Sequence, residues 1–180
     1  GGVDLDPPAL VRAIDFLGFT LRDQGHYARA EELFDEGLVV ARASGDRWAI
    51  GFSTYLQSTL AQDVGDLERQ ARLAEESLPL LREQGERLGL AYVLNATGDV
   101  GLREHDHARA AAAFGESLAL SRDLGNLRGI GFALVGLGVV ARRRGDNTAA
   151  ARYDADLQRV WELELRPVLA APAIAPRPLE

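Results

Sequence analysis

Leu17-Gly18-Phe19-Thr20-Leu21-Arg22-Asp23-Gln24-Gly25-His26-Tyr27-Ala28-Arg29-Ala30-Glu31-Glu32-Leu33-Phe34 is the stretch that decides the fold. One glycine separates two runs of helical period, and the same punctuation returns along the chain. Gly25, Gly65 and Gly145 lie forty residues apart or at a multiple of it, with His105 in the vacant slot. Gly45, Gly85 and Gly125 fall halfway between, so a helix stop recurs every twenty residues. Most are followed by an acid: Asp46, Asp66, Glu86, Asp106 and Asp146. Glycine closes a helix by turning left-handed, and an acid just after it caps the next one.

Between the stops the apolar residues keep a three- and four-residue spacing. Tyr27, Ala30, Phe34, Leu38 and Ala41 do so in one segment, and His107, Ala110, Phe114, Leu118 and Ser121 in its counterpart. The other helix type reads Leu10, Ile14, Leu17 and Leu21, and later Ile130, Leu134, Leu137 and Ala141. No strand-like alternation interrupts these runs, so the chain reads as all-α. The spacing predicts eight helices near 7–24, 27–43, 47–64, 67–84, 87–104, 107–124, 127–144 and 147–165. Paired, they make repeats of about 6–45, 46–85, 86–125 and 126–166, a domain over 1–166.

Small residues recur in phase. Gly18, Ser58, Gly98 and Gly138 form one column; Gly51, Ala91 and Gly131 form another. Ala30, Ala110 and Ala150 form a third, broken by Gln70. A mid-helix glycine costs roughly 1 kcal/mol against alanine. Its return at one phase predicts that another helix backbone passes close there. Repeat two departs most, with Ala74 in the aromatic slot, Pro79 inside its second helix and a polar run from Ser53 to Thr59. Repeat four carries Asp154 in the aromatic slot, and Trp161 is placed to cover the open end of the stack.

Leu17-Gly18, Leu21, Gly25, Tyr27, Ala30 and Phe34 resemble the tetratricopeptide repeat, as do Gly98, Ala110 and Phe114 and Leu137-Gly138, Gly145 and Ala150. The forty-residue period is similar to the long repeats of MalT-like, LuxR-type bacterial regulators and related signalling ATPases. The blocks Ser117 to Asn126 and Gly131 to Leu134 carry that likeness. The resemblance implies an α-solenoid of four antiparallel helix pairs in a right-handed superhelix. It also implies a groove lined by the first helix of each repeat. Transferred position by position, that groove holds Arg12, Asp15, Phe19 and Arg22, then Tyr55, Thr59 and Gln62. Asn95, Asp99 and Arg103 follow in repeat three, and Val135, Val139 and Arg142 in repeat four. Asp15 and Phe19 stand where some relatives carry the Lys and Asn that clamp a chaperone's C-terminal carboxylate, so that use is not expected.

Composition narrows the function classes. The chain of 180 residues has no cysteine and no methionine, and all 20 basic residues are arginine. Thiol nucleophiles, cysteine-ligated zinc and lysine Schiff bases are thereby excluded. A net charge of −7 argues against a general nucleic-acid or anionic-membrane surface. No apolar run is long enough to cross a bilayer. Gly1-Gly2-Val3-Asp4 is not a signal peptide and reads as the edge of a piece of a longer, cytoplasmic polypeptide. The tail 167–180, with Pro167, Pro172, Pro176 and Pro178, reads as extended.

Four clusters invite chemistry. Gly136-Leu137-Gly138-Val139-Val140-Ala141 satisfies a dinucleotide fingerprint, yet falls mid-helix rather than at a strand-to-helix turn. His105-Asp106-His107 offers metal-ligating groups, but His105 fills a turn slot and His107 a packing slot. Glu36, Glu76, Glu116 and Asp156 form an acid ladder, read as a solvated face or as partners of arginines such as Arg29, Arg72 and Arg109. Arg142-Arg143-Arg144 reads as a basic helix end, which complements the helix dipole. No catalytic, metal or cofactor constellation stands out, and an enzyme is the least favoured class. The expected function is a protein- or peptide-binding module of a larger bacterial regulator. The alternatives are a small-effector domain and a self-assembly module that makes a homo-oligomer.

Overall fold

The structure is a computed structural model that describes residues 6–162. Eight helices run in sequence among them: α1 Pro7–Asp23, α2 Tyr27–Ser44, α3 Arg47–Asp63 and α4 Leu67–Glu83, then α5 Arg87–Arg103, α6 His107–Asp123, α7 Leu127–Arg143 and α8 Asn147–Val160. No strand occurs among the described residues. Each helix packs on the next, α1 on α2 through α7 on α8, and the odd-numbered helices also touch one another in order. That sequential packing makes an all-α, solenoid-like repeat array. The expected continuation of the last helix to 165, the tail 167–180 and residues 1–5 lie outside the described residues.

The helix ends follow the anticipated chemistry. Asp46, Asp66, Glu86, Asp106 and Asp146 each accept a hydrogen bond from a backbone N–H two or three residues on, and Asp6 and Asn126 do the same. Such caps satisfy amide groups the helix itself leaves unpaired. Gly25 turns at φ 81°, and His105 takes the same left-handed turn at φ 58° in the slot glycine holds elsewhere.

At Gly18 and Gly98 the neighbour is an aromatic side chain rather than the helix backbone expected there. A Cβ at Gly18 would fall 2.6 Å from Phe34 Cε1, and one at Gly98 would fall 2.6 Å from Phe114. Gly136 admits Phe114 from its other side, at 2.5 Å. Phe34 and Phe114 are thus seated on helix backbone and are fully buried. Gly138 has no such neighbour, because Asp154 replaces the aromatic ring opposite it. Of the glycines in the dinucleotide fingerprint, Gly136 thus serves helix contact inside α7, although it lies outside the repeated glycine column.

The polar residues of repeat two form a buried network. Ser53 Oγ donates to Asp15 Oδ2 at 2.9 Å, Gln57 Nε2 to Asp35 Oδ1 at 2.6 Å and Ser58 Oγ to the Gln70 carbonyl at 3.0 Å. Gln70 also donates to Gln62 and accepts from Arg103. Pro79 lies on the exposed side of α4, where the helix continues through it. Trp161 follows α8 and remains 48% exposed, so it covers the end of the stack only in part.

The acid ladder is an ion-pair ladder with other partners than expected. Arg42 pairs with Glu76 at 3.9 Å, Arg82 with Glu116 at 2.6 Å and Arg122 with Asp156 at 3.2 Å. Each links one second helix to the next. Arg29 instead pairs with Glu32, and Arg109 with Glu75 and Glu104. The arginine run is structural throughout: Arg142 pairs with Asp154, Arg143 donates to the Leu102 carbonyl and Arg144 to the His107 carbonyl.

Candidate functional site: a concave cavity between the first helices

The inner faces of α1, α3, α5 and α7 enclose a cavity of about 650 Å³. Nine of the residues expected in the groove line it: Arg12, Asp15, Phe19, Arg22, Tyr55, Thr59, Gln62, Asn95 and Asp99. Its remaining wall comes largely from Phe16, Trp48, Phe52, Tyr92, Arg128 and Phe132, which the transferred positions did not include. Most of these lie one helical turn earlier on each first helix. Phe52, Tyr92 and Phe132 even recur at forty-residue spacing, and that column was the available signal.

Four expected members are elsewhere. Arg103 lies outside the wall, with its guanidinium on the Gln70 side chain. Arg142 is held by Asp154, 2.9 Å away, and Val135 and Val139 likewise do not line the cavity. Repeat four contributes Arg128 and Phe132 instead, because the curl of the array brings the start of α7 round to α1. The Arg128 guanidinium sits 5.5 Å over the Phe19 ring and 5.8 Å over Phe132. One side chain thus joins the first repeat to the last. It turns an open groove into a pocket.

Aromatic rings form the wall as a connected run. Trp48 stacks on Phe52 at 5.2 Å, Phe52 tilts against Tyr55 at 5.8 Å, and Tyr55 stacks on Tyr92 across the repeat boundary at 6.3 Å. Against this wall stand a few polar groups. Arg22 is engaged by Asp63 at 2.5 Å, whereas Arg12 and Arg128 have no carboxylate partner among the described residues. Asn95 is 8% exposed, and both its amide oxygen and its amide nitrogen are buried without a partner among the described residues. The indole N–H of Trp48 is also buried without a partner among the described residues. An unmade hydrogen bond in the interior costs about 1–3 kcal/mol, so folded chains rarely leave both ends of an amide unused.

Burial also acts on the ionisable groups of the wall. It pushes the Tyr55 phenol up to about 12, although Arg22 pulls the other way. It raises the Asp99 carboxyl too, against the opposing Arg103 and the Gln62 hydrogen bond. Asp15 is raised from 3.8 to about 7 by burial, which the Ser53 hydroxyl offsets only in part. In the unfolded chain Asp15 loses its proton near its ordinary value, while the folded chain keeps it up to about 7. Between those values the unfolded state binds fewer protons, so stability falls as pH rises, by at most about 1.4 kcal/mol per pH unit. Asp15→Asn removes that fall. Urea melts at acid and at mildly alkaline pH will show a smaller difference for the variant than for the wild type; an equal difference contradicts a buried, protonated Asp15.

His105 and His107 face each other edge to face at 6.5 Å, and no cluster of three metal-ligating side chains occurs among the described residues. No helix among them is long and apolar enough to cross a membrane.

Fold and cavity together define the class: a helical-repeat array with a concave, aromatic-walled pocket. No protein-family model matches the chain, and no curated protein matches it. Among solved structures it is similar to BtubC (BKLC) from P. vanneervenii, with a TM-score of 0.71 and 18% identity. The likeness covers 98% of this chain and 71% of that one, and it carries the fold alone.

Proposed function

We propose that this domain is a binding module that takes a short peptide segment in its concave cavity, as the sensor or interaction part of a larger bacterial regulator built on tetratricopeptide-like repeats. The observation that carries the reading is Asn95. Asn95 lines the cavity, and its amide nitrogen, which donates, and amide oxygen, which accepts, are the complement of a peptide group and have no partner among the described residues. The aromatic run from Trp48 to Tyr92 supplies the apolar wall on which a side chain of the segment packs.

A second reading, a compact small-molecule effector, is favoured by one feature. Arg128 over Phe19 narrows the groove to a pocket, and about 300–1,000 Å³ is the usual range for small-ligand sites. A displayed library of random hexapeptides, selected on the wild type and counter-selected on Tyr55→Ala, separates the two. Enrichment on the wild type with loss on Tyr55→Ala supports peptide recognition. Absence of enrichment, together with thermal stabilisation by a compound from a small-molecule collection, replaces it with the effector reading.

A further inference from the structure

The charged groups of the cavity wall are unevenly matched. Three carboxylates line it, Asp15, Asp63 and Asp99, beside three guanidiniums, Arg12, Arg22 and Arg128. Each carboxylate has a partner inside the fold. Asp63 pairs with Arg22 at 2.5 Å, Asp15 Oδ2 accepts from Ser53 at 2.9 Å, and Asp99 accepts from Gln62 within the field of Arg103. Arg12 and Arg128, by contrast, have neither an ion pair nor a hydrogen bond among the described residues. Burial also disfavours the charged forms of Asp15 and Asp99, so they offset the two unpaired cations less than their number suggests.

The setting of Arg128 keeps its donors available. Its guanidinium lies over the Phe19 and Phe132 rings, at 5.5 Å and 5.8 Å. A ring meets a guanidinium through its face, whereas the N–H groups lie in the plane and form a fork shaped for a carboxylate. The aromatic contacts therefore steady the group without using its hydrogen bonds. Arg12 and Arg128 line the cavity and are solvent-exposed, which places both at its rim. The chain as a whole carries a charge of −7, but at physiological salt charges beyond about 8 Å are largely screened. Local cations therefore decide what the rim accepts. A neutral segment lying across it would strip water from two charges and return nothing, and a basic one would add like charge.

We infer that the cavity selects an acidic peptide segment, with an Asp or Glu side chain held at the rim by Arg12 and Arg128 while Asn95 takes a peptide group deeper in. This rests on the reading of the cavity as a peptide site and adds to it the charge of the peptide. One segment thereby answers both sets of unpartnered groups, the guanidiniums at the rim and the buried amide.

The test uses the full chain and two bead-bound libraries of hexapeptides, N-acetylated and attached through the C-terminus. One library is made without Asp and Glu, the other without Lys and Arg. Fluorescently labelled wild type will stain binders in the library that keeps the acids and few or none in the acid-free one. Equal numbers in both overturn the acidic preference and leave the peptide reading standing; binders in neither overturn the two together. A hit is then resynthesised with both ends blocked and titrated by fluorescence anisotropy. Exchange of its acidic side chain for the matching amide will weaken binding to the wild type by about tenfold. On the Arg12→Gln/Arg128→Gln chain, checked for an unchanged circular dichroism spectrum, the same exchange will cost less than about twofold. An equal loss on both proteins takes the acid away from these arginines and overturns the assignment. Tight binding that appears only when the peptide's C-terminus is freed makes the chain end the source of the carboxylate and overturns the choice of a side chain.

Discussion

Phe114→Ala will lower the stability of the folded chain by about 3–5 kcal/mol, the cost of emptying a core aromatic site. The ring is 1% exposed and sits between Gly98 of α5 and Gly136 of α7, the helices on either side of its own. Ala110, Leu118, Ile130, Leu134 and Leu137 close the cluster around it. Neither glycine has a side chain that could swing into the space, so the cavity will not collapse. The loss will appear in urea melts as a lower midpoint with little change of slope. A change below about 1 kcal/mol would show that the three helices do not meet on this ring.

Asn95→Leu will weaken ligand binding while leaving the unliganded protein as stable as the wild type or more so. An asparagine kept for structure would behave in the opposite way. Its amide atoms would have partners in the fold, and their removal would cost stability. Here both atoms are buried and unpartnered, so replacing the amide by an apolar group of similar size removes an uncompensated desolvation cost of about 1–3 kcal/mol. The same change removes the donor and acceptor offered to the ligand, which then leaves its own polar groups unpaired in the cavity. The expected loss is about tenfold to a hundredfold for a hexapeptide selected on the wild type. Calorimetric titration and thermal melts on the two proteins read both signs. A lower melting temperature with unchanged affinity would assign Asn95 to the fold.

Much of the fold was legible because its signals are local and repeated. Gly25 and its counterparts stop helices, the acids after them cap the next, and Phe34 and Phe114 recur opposite Gly18 and Gly98. His105 could be placed in a turn from its slot alone, and it takes the left-handed conformation there. The site was legible helix by helix, since Asp15, Tyr55, Asn95 and their neighbours sit on inner faces that one repeat defines. What joins repeats across the groove was not. Arg128 meets Phe19 only because small rotations between repeats accumulate from α1 to α7, and no periodic pattern encodes that sum. Arg142 was misplaced for the same reason, being one turn too far along its helix to reach the cavity and close enough to Asp154 to pair with it. The partners of the acid ladder were missed for a different one: Arg42, Arg82 and Arg122 also recur every forty residues, but pairing between neighbouring second helices is a property of their packing.

The central claim, that the concave cavity is the binding site, is tested most directly by mapping backbone amide shifts of the isotopically labelled full chain during titration with the selected hexapeptide. The account predicts that the perturbed amides cluster on the inward turns of α1, α3, α5 and α7, around Phe19, Tyr55, Asn95 and Phe132. Perturbations confined to α2, α4, α6 and α8, or to residues 163–180, would contradict it.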